Sequence, residues 1–592
     1  MDASRSRTLP IRFHVAGWLV ERDACRLARG GQEYHLRPLL IDLLAFLAER
    51  GGQVVTKEEI LDRIWSTRFV SESALTRSVA ELRHYLGDDA SRPQFIETIP
   101  KRGYRLIADV GALPNTPKQS ALTAKPMIAV LPFENLSGDP DQEYFSDGLT
   151  EEIIAQLGSL QPNEFGVIAR TSIMRYKHAT KSLDEIAAEL RVQYFLEGSV
   201  RREALRVRIT AQLIQASDQT HLWADSYEDD FQQILTIQSN VAQGICGAIQ
   251  ATMSRPQEQH LIHKRRINPT AHEAYLKGLY YYNKFTPEAA GQAIKYLKQA
   301  IAIDPEHGPA HAALAQTFGM IGYWGFAPPA EVNPLAREEA LKALQIDASL
   351  SVAHGALGCV LCLHDWEYEA GEKEVQRAIE LNPSEATSHL WYCIYHAVIT
   401  EDADKAIAEA LTAARLDPWS PITSLFVSSV YLFVDDFEQA REQAQKIVEM
   451  FPQSLHGYRV LGTAYLGEGL FEHAIAAFER GVTIARESAS VALLAQAYGR
   501  AAQPEKTRAL IDELLHRCKH EYVLPTSMAW AYLGLGDIDR AFQWLETAFQ
   551  ERCSMLLWLR ALPMFDSLRS DSRFRELLRR LRLPAGSISL GQ

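Results

Sequence analysis

The chain has 592 residues, of which 47% are apolar and 23% charged, and its formal net charge is −13. This length exceeds what one hydrophobic core supports, and the balanced composition excludes a disordered or fibrous protein. Seven cysteines spread over a long chain indicate reduced thiols rather than a disulfide framework. The first ten residues resemble no signal peptide, and no run approaches the roughly 18 apolar residues of a membrane span. We therefore expect a cytoplasmic protein with no membrane partner.

Charge and composition divide the chain into parts. Residues 1–110 contain 17 Lys and Arg against 15 Asp and Glu, a balance of +2, so the remainder carries −15. A slightly basic unit on an acidic body is typical of a small nucleic-acid-binding domain joined to a larger protein-contacting part. Polar, Pro-containing segments predict linkers at 111–125 and 256–269. The predicted parts are therefore 1–110, 126–255 and 270–582.

The first part alternates strand-like and helical patterns. Alternating apolar residues predict strands near 11–13 and 18–20, and the leucine-rich segment 38–50 predicts a helix. Thr56 is placed to cap the next helix, and Glu59, three residues later, completes a capping box. These patterns predict a small α+β domain.

A third helix is predicted over residues 73–86, ending before Gly87. Its apolar residues recur at a 4-3-4 spacing and form one buried stripe: Leu75, Val79, Leu82 and Leu86. The opposite face carries short or polar side chains that fit a major groove: Ser73, Arg77, Ala80, Glu81 and His84. Arg77 is the candidate for reading a base, because a guanidinium group donates two parallel hydrogen bonds to guanine.

Residues 95–106 predict a β-hairpin whose end is basic. Gly103 is expected to permit its tight turn. Lys101, Arg102 and Arg105 place positive charge at the tip, with Tyr104 in the same run. Lys101 and Arg102 are the candidates for contacts to phosphate.

The order of helix, Gly-Asp-Asp break and basic hairpin resembles the OmpR/PhoB-type winged helix of transcriptional regulators. The resemblance covers the whole domain and implies that the third helix enters the major groove while the hairpin, or wing, reaches the backbone or minor groove. It implies double-stranded promoter DNA as a partner. The residues named for this contact are Ser73, Arg77, Ala80, Glu81, His84, Lys101, Arg102, Tyr104 and Arg105. We identify no receiver domain ahead of the winged helix, so phosphorylation by a sensor kinase is not implied.

The second part, residues 126–255, alternates strand and helix patterns and predicts an α/β domain. Strands are expected at 127–131, near 165–169, near 194–201 and near 207–215, with helices at 150–160, 182–190 and 231–251. The segments that open with IAVLPFENLSGDP and EGSVRREALRVRI resemble the TolB N-terminal-like domain. That family implies no catalytic residue.

The third part shows a repeat. Helical segments end in a recurring dipeptide with proline in second place: Asn382-Pro383, Asp417-Pro418 and Phe451-Pro452. Successive prolines of this set lie 35 and 34 residues apart. This period, with small residues where helices cross, resembles the tetratricopeptide repeat (TPR). We expect about eight repeats stacked into an α-solenoid, with an insertion at 323–333, a degenerate repeat around 489–519 and a capping helix over 564–581.

Two groups of residues suggest metal binding. Cys359, Cys362 and His364 on one repeat are followed by Cys393 and His396 on the next, which could approach a zinc site. Buried packing is the favoured interpretation, since these positions face neighbouring helices. Four carboxylates also share one loop: Asp139, Asp141, Glu143 and Asp147. An EF-hand needs Gly and an acidic residue where this loop has Tyr144 and Thr150, so a solvated loop is favoured.

No phosphate-binding loop or catalytic motif occurs, so we predict no enzyme activity, no catalytic residue, no cofactor and no metal. Aromatic residues of the repeats are expected mostly to pack, with a peptide groove on the concave face as the alternative. These aromatic residues are Tyr280, Tyr281, Tyr282, Trp324, Trp366, Trp391 and Trp419.

The sequence as a whole predicts a multidomain, mainly α protein with an N-terminal winged helix, a middle α/β domain and a C-terminal TPR-like α-solenoid. The favoured function is a one-component transcriptional regulator that binds promoter DNA, with the repeats for protein or peptide sensing or for forming a homodimer on DNA. A scaffold that uses the winged helix for protein docking is the alternative. An enzyme linked to nucleotide signalling is the least favoured, because no catalytic constellation supports it.

Overall fold

The computed structural model describes residues 12–16, 18–21, 26–29, 32–50, 52–64, 72–89, 92–99, 102–108, 110–112, 125–160, 164–203, 206–252 and 268–583. The chain forms two compact units, Met1–Ala124 and Lys125–Gln592. The predicted middle and C-terminal parts thus pack as one unit. The predicted linkers at 111–125 and 256–269 lie almost wholly outside the described residues. None of the helices in the described part combines the length and apolar character needed to cross a bilayer.

The first unit contains two antiparallel sheets and a group of helices. Its elements are β1 (Arg12–Val15), β2 (Trp18–Glu21), β3 (Arg26–Arg29), β4 (Gln32–His35), α1 (Pro38–Glu49), β5 (Val55–Thr56), α2 (Lys57–Ile64), α3 (Glu72–Leu86), β6 (Ile96–Ile99), β7 (Gly103–Leu106) and β8 (Val110–Ala112). One sheet has the strand order β4-β3-β2-β1-β8, and the other has the order β5-β7-β6. The predicted α+β domain is confirmed.

Local sequence signals explain where α2 begins and where α3 ends. Glu59 N–H donates to Thr56 Oγ1 at 3.2 Å, and Thr56 N–H donates to Glu59 Oε2 at 2.9 Å, which confirms the capping box. Gly87 follows α3 with φ +71°, a left-handed conformation that glycine adopts without strain. The predicted stripe of α3 is buried throughout, as the exposed fractions of Leu75, Val79, Leu82 and Leu86 are 2% or less.

The second unit opens with an α/β region. Its elements are β9 (Met127–Val130), β10 (Glu134–Asn135), α4 (Glu143–Leu160), β11 (Gly166–Val167), α5 (Arg170–Met174), α6 (Leu183–Leu190), β12 (Tyr194–Glu203), β13 (Arg206–Gln215), β14 (His221–Asp230) and α7 (Ile234–Thr252). The sheet order is β11-β9-β12-β13-β14, with β10 beside β12. β11 and β12 pair with β9 in parallel, whereas β13 pairs with β12 and β14 antiparallel.

The remainder of this unit is helical. Its helices are α8 (Pro269–Tyr282), α9 (Pro287–Ile303), α10 (Gly308–Trp324), α11 (Pro329–Ile346), α12 (Ser351–Val360), α13 (Tyr368–Leu381), α14 (Ala386–Ile394), α15 (Ala403–Leu416), α16 (Pro421–Phe433), α17 (Phe437–Met450), α18 (Leu455–Gly467), α19 (Phe471–Ile484), α20 (Ser488–Arg500), α21 (Pro504–Arg517), α22 (Pro525–Gly534), α23 (Ile538–Gln550) and α24 (Ser572–Arg580). Short π-helical turns, Leu361–Asp365 and Tyr395–Thr400, extend α12 and α14.

Consecutive helices pack in pairs, from α8 with α9 to α22 with α23, which confirms the predicted TPR-like repeats. Small buried residues such as Ala406, Ala410 and Ala413 let the paired helices approach closely. The predicted insertion at 323–333 covers the end of α10 and the start of α11, and the predicted degenerate repeat around 489–519 corresponds to the pair α20 and α21.

The α/β region packs directly on the repeats. Asp417, at the end of α15, accepts hydrogen bonds from Ser172 N–H at 3.0 Å and from Ser172 Oγ at 2.6 Å. Ala169 N–H donates to Leu416 O at 2.8 Å, and Tyr144 Oη donates to Glu273 Oε1 at 2.8 Å. Buried polar contacts of this kind explain why the two regions form a single unit.

The C-terminal segment returns to the inner side of earlier repeats. Two 3₁₀ helices, Ser554–Leu559 and Pro563–Leu568, precede α24. The second of them and α24 together cover the segment 564–581, where a single capping helix was predicted. Trp558 stacks on Phe433 of α16 with ring centroids 4.6 Å apart. Arg560 Nη2 donates to Val398 O at 3.0 Å, and Gln496 Nε2 donates to Met564 O at 2.8 Å. The C-terminal segment therefore covers part of the surface of α14, α16 and α20.

Candidate nucleic-acid interface

The polar face of α3 is largely exposed. Arg77, Ala80 and His84 are exposed, and Glu81 is half-buried. Ser73 lies in the helix, but its side chain falls outside the described residues. The predicted division of α3 into a buried stripe and an outward face is therefore confirmed for the described side chains, while their contact with DNA stays a prediction.

Glu81 belongs to an ion pair on this face. Arg37, directly before α1, donates to the Glu81 carboxylate through Nη2. The Arg37 side chain is mostly exposed, so the pair contributes little to stability. It reduces the negative charge that Glu81 would otherwise present on the outward face of α3. Arg37 is a basic residue of this surface that the sequence patterns did not single out.

A buried ion pair joins the end of α3 to the hairpin. Arg83 Nη2 donates to Ile96 O at 2.6 Å and to Thr98 Oγ1 at 2.9 Å, both on β6. Arg83 Nε lies 3.7 Å from Asp88 Oδ2. This contact fixes where the hairpin lies relative to α3, and both elements must meet one duplex for the predicted binding mode. Arg83 is therefore a positioning residue.

Asp88 supports the same junction from the backbone side. Its Oδ1 accepts from the N–H groups of Gln94 at 2.6 Å and Phe95 at 3.1 Å, and its Oδ2 accepts from Ile96 N–H at 2.9 Å. The Asp88 side chain has no exposed surface. Sequence reasoning treated this residue only as part of a break after the helix. The signal for its role was an aspartate directly after a C-terminal glycine.

The hairpin presents Arg102 at its turn. Arg102 is exposed, and its N–H donates to Ile99 O at 3.0 Å. Lys101 lies outside the described residues, so its predicted phosphate contact is unplaced. Arg105 lies on β7, where its Nε donates to Glu97 Oε2 at 2.9 Å, and this ion pair must open or be shared if Arg105 is to bind phosphate.

Two predictions for the hairpin are corrected by burial and packing. The Tyr104 ring is 4% exposed within the core of the domain, so it supports the wing instead of presenting a side chain to DNA. Gly103 lies in β7 and not at a positive-φ turn. A Cβ at Gly103 would lie 1.9 Å from Val55 O, so glycine is required for the close approach of β5.

The other candidate groups have structural partners. Lys177 forms ion pairs with Glu143 and Asp147, and Arg170 lies 3.5 Å from Asp147. Asp139 Oδ1 accepts from Asp141 N–H at 2.9 Å. The prediction that these four carboxylates share one loop is wrong, because Glu143 and Asp147 belong to α4, and the described carboxylates are paired with neighbouring cations or backbone groups.

The three cysteines of the predicted zinc group lie in the core. Cys359, Cys362 and Cys393 are buried, and burial raises the pKa of each thiol. His364 lies 3.2 Å from Asn333, and His396 lies 3.2 Å from Thr400 Oγ1. In the described part of the chain, no group of three or more His, Cys, Asp and Glu side chains is arranged to hold a metal ion.

Comparison with known proteins identifies two regions. Residues 31–106 match the family "transcriptional regulatory protein, C terminal", and residues 124–244 match the family "HilA/YgeH-like transcriptional regulator, second domain". The second match covers most of the region that resembled a TolB N-terminal-like domain, and that resemblance is not confirmed.

Relatives match over different shares of the chain. The putative adenylate cyclase 3 of Rhizobium meliloti is 36% identical over 46% of this chain and 45% of its own length, so the chain spans less than half of that relative. The transcriptional regulator HilA of Salmonella typhimurium is 26% identical over 69% of this chain and 72% of its own length. Among solved structures, the DNA-binding domain of Escherichia coli CadC is 38% identical. The match covers 17% of this chain and 94% of that structure, with a TM-score of 0.16.

The family match over residues 31–106 includes α3 and the hairpin. Residues 31–106 are therefore an OmpR/PhoB-type winged-helix domain, followed in this chain by a region similar to the HilA/YgeH-like second domain and by TPR-like repeats.

Proposed function

We propose that this protein is a transcriptional regulator that binds double-stranded promoter DNA through α3 and the wing. One observation carries the proposal: the exposed Arg77, Ala80 and His84 share a domain with exposed Arg102, and the Arg83–Asp88 junction holds helix and hairpin together. The fold family and the HilA relative support the same function. In this proposal the signal reaches the protein in the cytosol.

The two basic residues are expected to play different parts. Arg77 lies in the second turn of α3, the end of a recognition helix that contacts base edges. Arg102 lies beside the hairpin turn, where it can contact phosphate without reading sequence. Replacing each residue should therefore change a different property of binding.

Fluorescence anisotropy with labelled upstream DNA tests the proposal, using the full chain at several salt concentrations. Arg77→Ala should cost about 1–3 kcal/mol on the preferred sequence and relax the preference at one base pair. Arg102→Ala should weaken binding to all sequences and reduce the salt slope by about 1. Arg480→Ala, an exposed residue of α19, is the control for net charge and should bind like the unaltered protein. If Arg77→Ala and Arg102→Ala bind like this control, the proposed interface is wrong.

Dimer formation on DNA is part of the proposal. Two winged helices on tandem half-sites would each bind more tightly when the other is bound. The helical repeats α8 to α24, called the helical unit below, offer surface for self-association or for a protein or peptide partner. Light scattering of the free protein and of its DNA complex measures this directly. A monomer in both states would exclude the homodimer.

We infer a non-enzymatic role for the chain. The match to the putative adenylate cyclase covers 45% of that relative, and the carboxylate and cysteine groups considered above are engaged in ion pairs or packing. The competing scaffold function uses the winged helix for protein docking. Sequence-selective DNA binding that Arg77→Ala weakens on the preferred sequence would exclude the scaffold.

A further inference from the structure

A cavity of about 640 Å³ lies between the repeats and the returning C-terminal segment. Its walls come from α10, α16, α18 and α22, and the 3₁₀ helices of the returning C-terminal segment contribute Met555, Trp558 and Met564. The apolar wall includes Trp324 and Phe426. Binding sites for small molecules commonly have volumes of about 300–1,000 Å³ and mainly apolar walls with a few polar groups. This cavity has those dimensions and that lining.

Aromatic residues form much of the wall and hold one another in place. Trp324 and His456 have ring centroids 4.7 Å apart, and Tyr323 stacks near Phe426 at 6.2 Å. Trp558 is fixed by its stacking on Phe433. Rings fixed in this way present flat apolar faces with little conformational freedom left to lose when a ligand binds.

Arg459 of α18 is a cation in this apolar surrounding. Among the described residues, one carboxylate lies within 4 Å of it, that of Glu487 at 3.9 Å, which is too long for a hydrogen bond. The Arg459 side chain keeps about a fifth of its surface, and the residue lines the cavity. Burial lowers the pKa of Arg459 and lowers that of neighbouring His456 to about 3, so His456 is neutral at pH 7. The positive charge on α18 beside Trp324 therefore belongs to Arg459 and not to His456.

Other cations of the wall differ from Arg459 because they already have close partners. Arg486 Nε donates to Glu513 Oε1 at 2.8 Å. Arg517 donates to Glu513 at 2.8 Å and to Arg486 O at 2.6 Å. Among the described cations of this wall, Arg459 is thus the one that no carboxylate within hydrogen-bonding distance neutralises. A largely buried guanidinium without such a partner favours an anion, since little else offsets the cost of its burial.

We propose that this cavity binds a small organic anion with an apolar, ring-containing body, whose anionic group pairs with Arg459 while its rings lie against Trp324 and Phe426. A protein or peptide segment is a poorer fit, because the chain's own C-terminal segment occupies the adjoining inner surface. The site lies within the helical unit, so the proposal holds whether or not the winged helix binds DNA.

Titration of the full chain with 8-anilinonaphthalene-1-sulfonate, an aromatic sulfonate that fluoresces in apolar sites, tests the proposal. We expect saturable binding with one site per chain. Arg459→Met keeps an unbranched apolar side chain but removes the charge, and should weaken binding at least tenfold. Arg480→Met makes the same substitution at an exposed position and should leave affinity unchanged. Equal affinity of the Arg459→Met and Arg480→Met variants would overturn the proposal, as would the absence of saturable binding.

Competition with a matched pair of probes separates charge from hydrophobicity. Biphenyl-4-carboxylate should displace the fluorescent sulfonate at a concentration at least tenfold lower than the neutral biphenyl-4-carboxamide, and Arg459→Met should remove this difference. Equal displacement by acid and amide from the unaltered protein would refute the role of Arg459. Glu487→Gln removes the competing carboxylate and should tighten anion binding about threefold or more. This variant decides the question if Arg459→Met proves to be unfolded by circular dichroism.

Discussion

Substitution of Asp88 by asparagine would measure how strongly the end of α3 is held to the hairpin. Asparagine has nearly the same volume, so the change removes charge without creating a cavity. Asp88 accepts three backbone hydrogen bonds and lies 3.7 Å from Arg83 Nε. Hydrogen bonds to charged groups contribute about 1.5–3 kcal/mol each, and loss of one member of a buried ion pair costs about 3–5 kcal/mol. Because these contributions overlap, we expect about 3 kcal/mol of destabilisation.

Urea unfolding of a fragment of residues 1–124, a compact unit of the structure, followed by tryptophan fluorescence, is the assay. With a slope of about 1–2 kcal/mol per molar urea, the midpoint should fall by about 1.5–3 M. Glu58→Gln, an exposed residue of α2, is the control and should change stability by less than about 0.5 kcal/mol. A loss for Asp88→Asn as small as that of the control would refute the reasoning that this carboxylate secures the junction.

Three further substitutions test other parts of the structure. Gly103→Ala places a Cβ against Val55 O and should disrupt β5 and abolish DNA binding by anisotropy, whereas Gly291→Ala, with nothing within 4 Å, should leave both folding and binding intact. Burial raises the pKa of Asp417 from 3.8 to about 6, so its contribution to stability is fully present below pH 4 and is lost as the pH rises through 6. Thermal unfolding from pH 4.5 to 7 should show the unaltered protein losing about 2 kcal/mol relative to Asp417→Asn, and parallel pH profiles would contradict this. Arg560→Met removes the hydrogen bond to Val398 O and the ion pair with Glu401 at 2.7 Å, and should destabilise the helical unit by about 3 kcal/mol in a thermal melt. Arg579→Met, at an exposed pair, should cost less than about 0.5 kcal/mol, and equal losses would show that Arg560 does not secure the C-terminal segment.

Periodic features of the sequence predicted much of the fold. The 4-3-4 spacing in α3 and the capping box at Thr56 are local patterns, and each determines an element through contacts within a few residues. The repeat period of the helical unit is likewise visible in the chain because every pair of helices solves the same packing problem. For the same reason, exposure of Arg77 could be predicted from its position opposite the buried stripe.

Features that depend on distant contacts were not predicted. β14 has a polar, mostly exposed sequence, so no alternation of apolar and polar residues indicated a strand. It is a strand because β13 supplies its hydrogen bonds. The burial of Tyr104 depends on the helices that pack over β7. Arg83 looked like one more basic residue on a helix, and only the position of β6 reveals its role. Packing of the α/β region against the repeats through Asp417 and Ser172 joins residues 245 positions apart.

The return of the C-terminal segment changes how the helical unit should lose its structure. In an open array each repeat depends on its immediate neighbours, and the ends can fray independently. Here Tyr368 Oη donates to Leu581 O, 213 positions later, and Trp366 packs against Phe549 at 4.8 Å. Fraying at the C-terminus would therefore expose a repeat in the middle of the array. We expect this part of the chain to melt in a single cooperative step, and a short deletion at its end to weaken helices far away in sequence.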